Sequence, residues 1–248
     1  MGRGSPRPTP FLSHPRRTLT GMDTSTLSRI HIDVPAPKPL VAALAAAAGA
    51  EPTTTQVLAA DGVDEATLHT VTLGGLTIDA LPGDTGLAVA EFTVPDLADA
   101  LIRLPDEAQR RATEIGASHR AAGTIVVVRT GRTAPAAEPG GARVTRILVS
   151  TPEPAGLAAA LGAAAGVEVT TDPIGGTDGA VIHRMRIGAT TVEAMPGADG
   201  VPAIDLVVSD LAATRDRLIA ASVAVSWRDA FAVTYVGGTR LLVRQVIE

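Results

Sequence analysis

Residues able to do chemistry are sparse in this chain, and most of them alternate along short β-prone runs. Arg29, His31 and Asp33 share one face of such a run, with Ile30, Ile32 and Val34 on the other. Asp79 and Glu91 fall in the same register on later runs, and Arg146, Glu193 and Asp205 form the matching set further along. Two chemistries are open to such a set. Each arginine, Arg29 and Arg146, could clamp a ligand carboxylate or enolate, with Glu91 beside it as a further ligand contact. Glu193, Asp79 and Asp205 could instead act as general bases, which makes them the candidate catalytic residues. The competing reading is a structural arginine–carboxylate pair, kept in both sets because both fold alike.

Other candidates are weighed the same way. His31 could join Asp79 and Glu91 as a one-nitrogen, two-oxygen metal site, although a lone histidine on a strand is more often a surface or core residue. His69 and His183 start matching strands, which suits a structural task as readily as a catalytic one. Trp227, Phe231 and Tyr235 cluster near the end of the chain, with Arg184, Arg186 and Arg228 in the same half. Such rings either line an apolar ligand pocket or fill the core of one hairpin. The glycines from Gly175 to Gly179 read as a turn, because no Lys-Ser/Thr follows to make a phosphate loop. Ser150 and Ser226 sit in no nucleophile-elbow pattern.

The elements that must position these residues are repeated. Arg29–Gly49 aligns without gaps on Arg146–Gly166, keeping the Arg-Ile start and the Pro-x-Pro spacing. His69–Gly83 then matches His183–Gly197, the run from Gly86 matches that from Gly200, and Gly123–Arg129 matches Gly238–Arg244. Each half reads as a strand, an Ala/Leu-rich helix stopped by Gly49 or Gly166, a hairpin, and a second strand–helix unit. In that second unit Asp96 or Asp210 is the N-cap. Strands follow one another more often than helices intervene, so the class is α+β with mixed sheets. The expected layout is a tail over 1–24, a first domain over 25–130, a Gly/Pro/Ala connector over 131–142 and a second domain over 143–248.

These repeated strand–Asp–helix units and hairpins, above all VPAIDLVVSDLAATRDRLIAASVAV and RIGATTVEAMPG, resemble the glyoxalase / bleomycin-resistance / extradiol dioxygenase group, the vicinal oxygen chelate superfamily. The resemblance implies tandem βαβββ modules forming two glyoxalase-fold domains, whose curved sheets form cups that bind small ligands and often one divalent metal. Which modules pair stays open. The family's metal positions fall here on Arg29, Asp79, Val89 and Val128, and on Arg146, Glu193, Ala203 and Val243. An arginine or an alkyl group offers a metal nothing, so no cofactor is expected, with a divalent metal as the alternative.

Composition narrows the partners. Cysteine is absent, which removes disulfides and thiolate chemistry. Net charge is −5 and aromatic content 2%, so neither a phosphate-neutralising face nor a base-stacking platform is visible. No apolar run suggests a membrane span. The expectation is a cytoplasmic monomer or homodimer that binds a small organic ligand, with neither nucleic acid nor membrane as partner. Its alternative is an enzyme, a lyase or isomerase using the carboxylates or a dioxygenase-like member with a rearranged metal site.

Overall fold

The structure, a computed structural model, describes residues 25–58, 65–131, 141–175 and 179–246. The expected tail and most of the connector and of the Gly175–Gly179 turn lie outside these residues. The first half runs β1 (Thr26–Val34), α1 (Pro37–Ala48), β2 (Thr53–Leu58), β3 (Glu65–Leu73), β4 (Leu76–Pro82), β5 (Gly86–Val94), α2 (Leu97–Arg103), α3 (Asp106–Arg110), β6 (Gly116–Ala121) and β7 (Thr124–Thr130). The second runs β8 (Arg143–Thr151), α4 (Pro154–Ala165), β9 (Val169–Pro173), β10 (Val181–Ile187), β11 (Thr190–Pro196), β12 (Gly200–Val208), α5 (Leu211–Ala220), β13 (Ser226–Arg228), β14 (Phe231–Val236) and β15 (Thr239–Gln245).

Each half makes its own mixed sheet. The strand orders are β2-β3-β4-β1-β5-β7-β6 and β13-β14-β15-β12-β8-β11-β10-β9. Antiparallel pairs β1–β5 and β8–β12 join the two modules within a half. The first module therefore pairs in the sheet with the second, and the third with the fourth. The local signals behave as their chemistry dictates. Asp96 and Asp210 cap their helices through backbone N–H groups of Asp99 and Ala213. Gly49 and Gly166 end α1 and α4 at φ of 68° and 69°, a left-handed turn that a side chain would strain.

The helices, by contrast, serve both halves. α1 packs on β3 and β4 of its own sheet and also on β14 and β15, while α4 packs on β10 and β11 and also on β5, β6 and β7. A helix enclosed on several sides needs small apolar residues all round, which is why both are alanine-rich rather than amphipathic. One continuous core results, with Phe92, Ile30, Ile32, Ile147, Leu157 and Leu161 among its fully buried members. The same strands turn a second, outer face away from this core.

The halves are tied by a reciprocal contact. Arg217 on α5 donates from Nε to the Ala46 carbonyl at 2.9 Å and from Nη2 to that of Ala47 at 3.0 Å, at the C-terminus of α1. Arg103 on α2 donates from Nε to the Ala163 carbonyl at 3.0 Å, at the C-terminus of α4. A cation on free carbonyls at the negative end of a helix satisfies orphan acceptors and the dipole together. Thr214, fully buried, adds a 3.1 Å bond to the Ala47 carbonyl. Nearby, a side chain on Gly86 would collide with the Gly200 backbone, so the turns of the two halves touch at paired glycines.

Two tests follow from this packing. Arg217→Ala is expected to lower the free energy of unfolding by about 1–2 kcal/mol, since it removes a charged helix cap between the halves; an unchanged urea midpoint would show the cap to be idle. His119 on β6 supplies the second. It shares the core face with Ala117, both ring nitrogens are buried without a hydrogen-bond partner among the described residues, and burial depresses its pKa against the opposing charge of Glu107. The unfolded chain takes up this proton first, at an ordinary pKa of about 6.5. The stabilisation is therefore present above that pH and is lost as pH falls from it toward the depressed folded value. The urea midpoint is expected to drop between pH 7.5 and 5 more steeply in the wild type than in His119→Leu; parallel curves would contradict it.

Candidate functional site

The outer faces of both sheets carry alternating charge, strand by strand. In the second sheet a row runs across six strands in the order Arg244, Asp205, Arg146, Glu193, Arg184 and Asp172, on β15, β12, β8, β11, β10 and β9. Arg146 donates from Nε and Nη2 to Asp205 at 2.9 and 3.3 Å, and from Nη1 to Glu193 Oε2 at 2.9 Å. Arg184 donates from Nε to Glu193 Oε1 at 2.7 Å and from Nη1 to Asp172. Arg244 Nη2 reaches Asp205 Oδ2 at 3.0 Å, and Arg240 Nη2 stands 3.8 Å from Asp205 Oδ1.

The first sheet repeats the row in shorter form. Arg129 pairs with Glu91 at 3.3 Å, Arg29 pairs with Asp79 through Nε, and Thr70 donates to Asp79 Oδ1 at 2.7 Å in the place that Arg184 takes in the other half. The hydrogen bond to Asp79 raises the pKa of Arg29 in spite of burial. Burial works against the charge on Arg146 as well, and the bonds and charges of Asp205, then Glu193, outweigh it, so its pKa is raised too.

A matching irregularity aims both central arginines. The register of β1 on β5 slips between Leu27 and Arg29, and that of β8 on β12 slips beside Arg146, leaving Ser28 and Thr145 as extra residues. Their hydroxyls donate to the backbone carbonyls of Glu91 and Asp205 at 3.1 and 3.3 Å. Such bulges turn neighbouring side chains and recur where a face is specialised.

The structure thus brings Asp79 to Arg29, and Glu193 and Asp205 to Arg146, while Glu91 goes to Arg129 on the last strand. His31, Asp79 and Glu91 do not form a metal site: His31 pairs with Asp33 at 3.5 Å, and the two carboxylates belong to different arginines. His69 and His183 sit opposite the buried Ala80 and Ala194 in the register, away from the charged row. The aromatic cluster divides. Trp227 pairs with buried Ala232, packs on the core and takes Arg215 of α5 over its ring at 5.6 Å. Phe231 and Tyr235 instead stand opposite Arg244 and Arg240 on the outer face, and Tyr235 is exposed. The division follows from alternation, which separates residue 227 from 231 once a turn intervenes. Sequence reasoning missed Arg129, Arg240 and Arg244; the repeat of Gly123–Arg129 on Gly238–Arg244 held the signal for the first and last of these.

No family model matches the chain and no curated protein does. Solved structures match its shape. A xylose isomerase-like TIM barrel/4-hydroxyphenylpyruvate dioxygenase fusion protein aligns at TM-score 0.58 and 11% identity over 90% of this chain, which spans about half of it, 48%. A 4-hydroxymandelate synthase mutant from Streptomyces coelicolor aligns at TM-score 0.52 and 12% identity, over 90% of this chain and 93% of that one. A catechol 2,3-dioxygenase aligns at 0.51 and 13%, over 89% and 88%. At such identities the likeness is one of fold, and the fold is that of the vicinal oxygen chelate proteins.

The divalent metal common in that fold does not fit the residues present. Arg29 and Arg146 bring positive charge, Val89 and Ala203 bring no donor, and Asp79 and Glu193 already hold guanidinium groups. Val128 and Val243 are buried on the core face rather than the outer one. Among the described residues no three histidine, aspartate or glutamate side chains gather to hold a metal ion.

The rows differ in what they contribute to stability. Asp205→Ala strips the shared carboxylate from beneath three arginines and is expected to cost about 3–5 kcal/mol. Glu91→Ala removes one partner of a half-exposed arginine and is expected to cost below about 1 kcal/mol. Equal losses in urea denaturation would show that the two rows are not distinguished by burial.

Proposed function

We propose that this chain is a metal-independent binding protein for small organic anions, using the outer face of the second sheet in the manner of the drug-binding members of its fold. The observation that carries the reading is the layering of charge. Asp205 and Glu193 are 1% and 6% exposed, while Arg146, Arg184 and Arg244, which rest on them, are 27%, 41% and 53% exposed. The surface a ligand meets is therefore made of guanidinium groups with donors to spare. Leu148, Leu242, Val233, Phe231 and Tyr235 share that face in register, giving an organic body something apolar to lie on.

An enzyme of the same fold is the second reading, favoured by the dioxygenase and synthase names of the structural neighbours. In it the arginines would steady an enolate. Asp79, Glu193 and Asp205 suit general-base work poorly, because their oxygens already accept hydrogen bonds from arginine and threonine side chains on neighbouring strands. No described helix is long and apolar enough to cross a membrane. The cytoplasm, and a monomer or homodimer, complete the proposal.

Calorimetric titration with small aromatic and aliphatic acids, beside their neutral amides and with a chelator present, tests it. Acids are expected to bind and amides not, with affinity at least tenfold weaker in Arg244→Ala and unchanged in Arg129→Ala, the matching position of the first sheet. Binding abolished by the chelator, or acids and amides binding alike, would refute the reading.

A further inference from the structure

The two rows are copies of one another except for their balance of charge. Counting the groups that form ion pairs along the row, in the first sheet Arg29 and Arg129 face Asp79 and Glu91, two against two. In the second, Arg146, Arg184, Arg240 and Arg244 face Asp172, Glu193 and Asp205, four against three. The surplus is Arg240. Its counterpart in the repeat is Ile125, which stands opposite Val89 on β5 as Arg240 stands opposite Ala203 on β12.

Arg240 is also the most loosely held of these arginines. Its nearest carboxylate oxygen, at 3.8 Å, is beyond hydrogen-bond range, and its buried Nε has no partner among the described residues. Half-burying a guanidinium with an unmade hydrogen bond is costly unless something else completes it. The Asp205 carboxylate beneath it is already taken by Arg146 and Arg244. Directly opposite on β14 is the exposed ring of Tyr235, with Phe231 opposite Arg244 four residues away on the same face.

Resting on the anion-binding reading, we propose that Arg240 is the specificity-determining anchor of a single site per chain, which takes the carboxylate of a planar monoacid. One negative charge balances the ion-paired row of the second sheet, and the two Nη groups of the partly exposed Arg240 guanidinium can meet the two oxygens of a carboxylate. The ring of such an acid would lie along Tyr235 and Phe231, where aromatic contact adds to the charge. The first sheet, whose ion-paired row is balanced and which carries Ile125 in that place, binds none.

Titration of the full-length protein with benzoate is the test, with Arg240→Ile, Arg240→Lys and Arg244→Ala as variants and thermal midpoints recorded for each. The expected result is one benzoate per chain, affinity falling at least thirtyfold in Arg240→Ile and less in Arg240→Lys, at unaltered thermal midpoint. Two benzoates per chain, or benzoate affinity retained in Arg240→Ile but lost in Arg244→Ala, would overturn the role of Arg240 and leave anion binding on the second sheet standing. Absence of binding by benzoate and by every other acid in the wild type would overturn both.

Discussion

A carboxylate buried in the middle of a sheet face cannot keep its charge alone, and in this protein that constraint organises the outer surfaces. Asp79, Glu193 and Asp205 are all buried, and each meets a guanidinium from a neighbouring strand. Strands pack too closely for such partners to be supplied from elsewhere, so the arginines must come from the same face, and the result is a row of alternating sign. Removing one partner is far more costly than replacing the whole row by apolar residues would be. The row therefore resists piecemeal change, and with its carboxylates spent on arginines it leaves no donor set for a metal.

The inner faces answer a different demand. Each sheet needs cover, and the alanine-rich helices provide it for both halves at once, α1 reaching β14 and β15 and α4 reaching β5, β6 and β7. Arg103 and Arg217 then close the ends of these helices across the boundary. A core shared in this way couples the halves mechanically while leaving both outer faces free to diverge. Thr70 against Arg184 and Ile125 against Arg240 are that divergence, and they fall on the face that the core does not constrain.

Because the repeat is internal, each half serves as a reference for the other. Positions that agree, such as Ser28 with Thr145 at the bulges or Thr124 with Thr239 bonding to the carbonyls of Leu87 and Val201, belong to the fold. Positions that disagree on the outer face are where binding has room to be specific. Among the described residues, the second half alone combines a surplus cation in its ion-paired row with exposed aromatic surface on the adjoining strand.

The sequence by itself determined what depends on neighbours along the chain. Alternation put Arg29, His31 and Asp33 on one face and matched Arg146 with Glu193 and Asp205, Asp96 and Asp210 announced helix starts, Gly49 and Gly166 announced helix ends, and the repeat implied two similar sheets of mixed strands. Pairing between strands distant in the chain was not legible, because hydrogen-bonded ladders between modules look alike whichever modules join. Tertiary structure decided that first pairs with second, that Glu91 goes to Arg129 and not to His31, and that Trp227 belongs to the core while Tyr235 faces outward. It also decided that Arg240, an unremarked residue on the last strand, stands 3.8 Å from Asp205 with its Nε lacking a hydrogen-bond partner among the described residues, since whether a charge is satisfied depends on what the fold sets beside it and not on the residue itself.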